Sequence, residues 1–347
     1  MSSDAPRNFM GLSGDSEMRY PTPESLELAH LIKVRVGRRT SAPVRTVFAR
    51  NLDPDAGAPP LGRLLRSGRA SDVRVGLFLS FLWFAAAEPF DLAYPARAWA
   101  ALLGLDDPAG AGTRRVRQAM NALAAEQLIE IIPRAGQPSR VLLLEESGQG
   151  RPYTAPGAMF NRLRGSQEQP RHRYIQVPDT MWTRGWISVL SGPALAMFLV
   201  LLTERAGRPQ NTDLWLSPKI AKQYYAISDE TRSRGLRELR AAGLVTARRA
   251  PIGRDALDFQ RMRNTYRLVD DALDRPAAVP LDPKPDAPMR PGEVAIADWA
   301  ERLISATEHD VAAKAAMSVA EVDPDRAPRR PRRARRLVPR PDPDEEF

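Results

Sequence analysis

The chain has 347 residues, 43% of them apolar, which suffices for two ordinary domains. It carries 51 Lys+Arg against 42 Asp+Glu, a formal charge of +9, and only five of the cations are lysines (Lys33, Lys219, Lys222, Lys284, Lys314). Cysteine is absent and the three histidines, His30, His172 and His309, never fall at ligand spacing, so disulfides, cysteine–zinc sites, iron–sulfur clusters and thiol catalysis are excluded and no metal is expected.

Arginine bias with abundant Ala, Gly and Pro points to a GC-rich, bacterial genome. No run approaches 18 uncharged apolar residues, and MSSDAPRNFMG has no apolar signal core, so the expectation is a soluble, cytoplasmic protein without membrane contact.

Taken in chain order, residues 1–43 read as a flexible arm with one short helix around Pro23–Ile32 and a basic stretch, KVRVGRR, at 33–39. Residues 52–70 are rich in turn formers and read as a loop. A first apolar region occupies 44–150, a Gly/Pro/Gln/Arg-rich linker 151–173, and a second apolar region 174–275. Six prolines between Pro276 and Pro291 mark an extended linker over 276–291. An amphipathic helix is expected over 292–317, with Ile296, Trp299, Leu303 and Ile304 on one stripe. Residues 318–347 form an Arg-rich tail expected to be disordered, with Arg329, Arg330, Arg332, Arg333, Arg335 and Arg336 as its candidate phosphate contacts. Residues 326–340 hold eight arginines and the last seven residues four acids; without both, residues 1–325 carry only +5. Where the remaining arginines sit therefore matters more than the total.

The two apolar regions resemble each other. SDVRVGLFLSFL at 71–82 overlays SGPALAMFLVLL at 191–202, matching Phe78 with Phe198, Leu79 with Leu199 and Leu82 with Leu202; these six are expected in the core. Each segment opens on a serine suited to capping a helix. Second helices follow around Trp99–Leu105 and Ile220–Ile227, behind Pro95 and Pro218, at offsets of 121 to 122. Third come TRRVRQAMNALAAEQLI at 113–129 and SDETRSRGLRELRAAGLV at 228–245, at an offset of 116. A strand pair closes each copy, Ile129–Ile132 with Val141–Leu144 and Leu244–Arg248 with Asn264–Leu268, and a further strand is expected before each, at Arg45–Ala49 and Tyr174–Val177.

Helix, helix, helix, strand, turn, strand is the order of a winged helix-turn-helix, and the two third-helix segments resemble those of GntR- and MarR-type regulators. The resemblance implies an α+β, mostly helical fold of two tandem winged-helix domains. Two residues depart from the pattern: Arg232 stands where an aliphatic side chain is usual, and Gln127 where glycine is usual.

In the first third helix Val116, Ala119, Met120 and Leu123 recur at i, i+3, i+4, i+7 and form the inward stripe. Thr113, Arg114, Arg115, Arg117, Gln118 and Asn121 are left to face outward, residue types able to read guanine and adenine edges. Thr231, Ser233, Arg234 and Arg237 are their counterparts, while Asp229 and Glu230 suit the helix N-terminus. Candidate wing contacts are Arg134 and Arg140 in the first copy, and Arg248, Arg249, Arg254, Arg261 and Arg263 in the second. Trp182 and Trp186 are expected to pack the approach to the second copy.

No phosphate loop, Gly-x-Ser-x-Gly elbow or His-Glu-x-x-His occurs, so catalysis and a cofactor are not expected. The expectation is a sequence-specific double-stranded DNA-binding protein, most simply a nucleoid-associated transcriptional regulator, acting alone or as a homodimer. Two-winged-helix plasmid replication initiators are the alternative resemblance, and a non-catalytic nucleoprotein adaptor the third.

Overall fold

The computed structural model describes residues 17–281 and 283, apart from 54, 56, 67–69 and 252–261. The expected helix at 292–317, the tail arginines, Arg254 and Arg261 lie outside the described residues. The described chain is α+β, close to half of it helical, with small antiparallel sheets.

The first half contains β1 (Met18–Arg19), α1 (Pro23–Val36), β2 (Ser41–Arg45), α2 (Thr46–Ala49), α3 (Pro60–Arg66), α4 (Ser71–Phe84), β3 (Asp91–Leu92), α5 (Ala96–Leu102), α6 (Ala111–Ala125), β4 (Ile129–Ile132) and β5 (Arg140–Leu143). The second contains α7 (Pro156–Arg162), β6 (Tyr174–Pro178), α8 (Thr180–Thr183), α9 (Trp186–Val189), α10 (Gly192–Arg205), α11 (Pro218–Tyr225), α12 (Asp229–Ala241), β7 (Val245–Pro251), β8 (Met262–Leu268) and β9 (Val279–Pro280). The order α4-β3-α5-α6-β4-β5 repeats as α10, a bridge at Leu214, α11, α12, β7 and β8. In the first half β5 lies between β3 and β4; in the second Leu214 bridges Tyr266 on β8 while β7 pairs with its other edge.

The six residues matched between the copies are all buried, from Phe78 and Leu82 at 0% to Leu202 at 7% exposure. Equivalent helices α4 and α10 are apolar nearly all round, as befits helices enclosed on every side. They pack on each other, with Gly192 at the start of α10 against Ser71 at the start of α4. Ser191 caps α10 by accepting from the Ala194 amide, but Ser71 is already the first helical residue of α4 and makes no cap.

Several segments differ from their sequence reading. The strand before the first copy is Ser41–Arg45, four residues earlier than expected, and Thr46–Ala49 is helical. It pairs antiparallel with β6, its counterpart before the second copy, from Ser41 opposite Pro178 to Arg45 opposite Tyr174. Within the stretch read as a flexible arm, α1 is capped by Thr22 and buries Ser25, Ala29 and Ile32. Within the expected loop, α3 buries Leu61 and Leu64. The expected linker 151–173 holds α7 and buries Tyr153 and His172, and the start of the Pro-rich linker buries Ala277 and Val279, where β9 pairs with β1. Composition shows turn formers but not which few apolar residues between them find a partner.

Trp182 stacks on Trp83 with ring centroids 4.7 Å apart and donates to the Ser80 hydroxyl at 2.9 Å. Trp186 donates to the Leu273 carbonyl at 3.0 Å, and both tryptophans are buried as packing residues.

Candidate nucleic-acid interface

Helix α6 divides into two stripes. Val116, Ala119, Met120 and Leu123 are all buried in the core, on a helix that packs against α4 and α5. Arg114, Arg117, Gln118 and Asn121 are exposed and recur at i, i+3, i+4 and i+7, so they share one solvent face. Thr113 and Arg115 belong elsewhere: the Thr113 hydroxyl donates to the Pro108 carbonyl at 2.8 Å, and Arg115 pairs with Asp72 at 3.4 Å. A residue at i−1 or i+1 of a face residue points some 100° away, and both found local partners there.

The β4–β5 turn stands beside this face. A cleft of about 590 Å³ lies between them, lined by Arg117, Met120 and Asn121 of α6, Tyr94 and Pro95 before α5, and Gly136–Ser139 of the turn. Arg134 is exposed at the turn. Arg140 is half-buried and paired with Asp91 on β3, so it ties two strands together.

In α12, Leu236 and Leu239 are buried, and Gly235 lies so close to α10 that an added Cβ would stand 2.3 Å from the Pro193 carbonyl oxygen. Ser228 caps the helix by accepting from the Thr231 amide at 3.2 Å, and Asp229 and Glu230 occupy its first turn, where the helix dipole favours them. Ser233 and Arg234 are exposed, whereas Thr231 and Arg237 are half-buried. Arg232, the counterpart of buried Val116, stays half-buried and pairs with Asp229 at 3.5 Å. Gln127 and Gly243, also counterparts, both adopt positive φ, 55° and 71°, so one left-handed turn leads out of each third helix although only one copy uses glycine.

Arg248 and Arg249 project into solvent from β7. Arg263 lies with its guanidinium 4.6 Å from the centroid of the Trp215 ring, a cation–π contact that holds it against the sheet. Arg254 and Arg261 lie outside the described residues.

Two cations missing from the sequence reading occupy equivalent places. Arg97 and Lys219 are the second residues of α5 and α11, both exposed, and Lys222 is exposed one turn further on. The offset of 122 that aligns the second helices already superposes Arg97 on Lys219. Helix starts of this kind also present free amides to an anion. Each half thus offers a third helix with a polar outer face, basic residues at the start of the preceding helix, and a basic hairpin beside it.

Among the described residues no group of three or more His, Cys, Asp or Glu side chains is placed to hold a metal ion, and no helix is long and apolar enough to cross a membrane. No family model, no curated protein and no solved structure matches the chain.

Proposed function

We propose that the protein is a sequence-specific binder of double-stranded DNA built from two tandem winged helix-turn-helix modules, acting without catalysis as a cytoplasmic, nucleoid-associated transcriptional regulator. One observation carries the reading: the exposed stripe Arg114, Arg117, Gln118 and Asn121, back to back with the buried stripe of the same helix. Arginine pairs bidentately with guanine, and Gln and Asn with adenine, from a helix lying in the major groove. Arg134, Arg248 and Arg249 would hold phosphates or line the minor groove, and Arg97, Lys219 and Lys222 would clamp the backbone. The Arg-rich tail would add affinity without sequence preference.

A site selected from genomic fragments with purified protein is the substrate for the test. Replacing Arg114 and Arg117 by alanine is expected to cost about 1–3 kcal/mol for each bidentate base contact, on the selected site far more than on scrambled duplex at equal salt. Arg115→Ala, whose guanidinium already pairs with Asp72, is expected to change discrimination little. Equal losses on both duplexes would reduce the stripe to a phosphate clamp and sink the reading.

A second reading, a replication initiator of a plasmid or integrated element, draws on the joining of two unlike reading helices in one chain. An initiator must open duplex beside its sites, whereas a regulator needs only to occupy one. Thymines in the selected site on supercoiled DNA are expected to remain unreactive to permanganate. Reactive thymines beside an array of direct repeats would replace the regulator by the initiator.

A further inference from the structure

Helices α1 and α5 pack together and, with the end of α4, enclose an apolar cleft of about 300 Å³. Leu28, Leu31 and Ile32, at i, i+3 and i+4 on α1, form one wall. Phe84, Tyr94 and Trp99 form the other, and each ring touches the other two. Their centroids stand 4.8 Å apart for Phe84 and Tyr94, 6.0 Å for Phe84 and Trp99, and 6.1 Å for Tyr94 and Trp99. Both walls are fixed from behind. The Ser25 hydroxyl of α1 donates to the Leu102 carbonyl of α5 at 2.6 Å, Lys33 pairs with Asp179 at 2.6 Å, and Ile32 and Trp99 are buried. Leu31, by contrast, opens to solvent at 60% exposure.

The charge around this cleft has one sign. Arg35 and Arg97 line it and are exposed, and none of its lining residues is acidic. Among the described residues neither guanidinium takes part in an ion pair. Arg35 lies 5.4 Å from the centroid of the Tyr94 ring and donates from Nη1 to the Tyr94 hydroxyl at 2.8 Å. That contact orients the guanidinium along the cleft wall. Being made to a neutral hydroxyl, it leaves the positive charge uncompensated and further N–H groups able to donate. A sphere of the cleft's volume is about 8 Å across, narrower than the roughly 10 Å of a helix with its side chains, so the space suits a small molecule.

We propose that this cleft binds an apolar monocarboxylate, with its hydrocarbon body between α1 and the three rings and its carboxylate at Arg35 and Arg97. The walls remove the hydrocarbon from water, and a guanidinium donates charge-assisted hydrogen bonds in a planar fork that matches a carboxylate. A cation with the same body would meet two like charges, and a neutral molecule would leave both arginines without a counter-charge. The proposal stands apart from the DNA-binding reading and holds or fails without it.

Octanoate is the probe, titrated calorimetrically into the full-length protein without DNA, with octylammonium and 1-octanol as its cationic and neutral counterparts. Octanoate is expected to saturate at one molecule per chain and to bind at least about tenfold more tightly than either counterpart. R35Q/R97Q, altered only at exposed positions, is expected to bind octanoate no better than 1-octanol while its affinity for 1-octanol stays that of wild type. A misfolded chain would lose both ligands, so this selective loss reports the charge alone. Ala98→Trp, which fills the cleft from α5, is expected to abolish octanoate binding. No binding of octanoate, uptake that does not saturate at one per chain, octylammonium bound as tightly as octanoate, or wild-type octanoate affinity in either variant would each overturn the proposal.

Discussion

Arg45 is the most deeply buried cation of the described chain, at 0% exposure, and its surroundings explain how it is tolerated. It pairs with Glu146, donates to the Thr154 carbonyl at 2.8 Å and hydroxyl at 2.9 Å, and donates from Nε to Nδ1 of His172 at 3.2 Å. The Tyr153 ring lies 5.5 Å from its guanidinium. Because His172 accepts through Nδ1, its imidazole is neutral with the proton on Nε2. Burial, reinforced by Arg45, lowers its pKa, against the weaker opposing pull of Glu145 and Glu168. A folded pKa below the unfolded one means that the unfolded chain takes up the proton first. The network's full stability is therefore present above the ordinary histidine pKa of about 6.5 and declines as pH falls from there towards the lowered folded value. Melting temperatures across this interval are expected to fall more steeply for wild type than for His172→Gln, whose amide oxygen can still accept from Arg45. Equal slopes would show that another group sets the acid limit. The network was not legible in the sequence, since Arg45 and Glu146 are separated by 101 positions and a strand expected to begin at Arg45 says nothing of what its side chain meets.

The third helices show how far residue spacing carries a reading and where it stops. The buried and exposed stripes of α6 follow from spacing alone, because an amphipathic helix is defined by which residues recur every three or four positions. In α12 the same reading stops at Gly235, a residue whose helix propensity is poor and whose reason lies in α10. With Pro193 carbonyl and Met197 side chain in the way of any Cβ, Gly235→Ala is expected to destabilise by about 1–3 kcal/mol despite the better helix former, because α10 and α12 must move apart. Chemical denaturation checks the sign: a gain in stability would mean that the two helices yield without cost. The short strands were harder still. β2 contains Pro43 and runs for only five residues, and its partner β6 lies about 130 positions away, so its register depends on a pairing that no local window contains. The segments β1 and β9, two residues each, gave no periodic signal at all.

At the scale of the molecule the two copies do not hang from a linker as separate beads. β2 of one half pairs with β6 of the other, α4 packs on α10, and Trp83 of the first half stacks on Trp182 of the second. The duplicated pattern was plain in the sequence, but its internal seam was not, since periodicity tells which face of a helix is apolar and not which helix will cover it. The seam removes much of the apolar surface that either half would expose alone. In calorimetry residues 17–281 should accordingly melt as one transition, not as two of half the enthalpy.

The strand pairing between the halves has a practical corollary for anyone who divides the gene. The turn around Gly165 is exposed and has open space about it, and it separates the strands that pair across the seam. Two polypeptides ending and beginning there would each carry an unpaired strand and one naked side of a tryptophan stack, so either made alone is expected to aggregate. Produced together in one cell, they should find each other and copurify as a soluble noncovalent pair, the broken chain rebuilding what the intact one holds by connectivity.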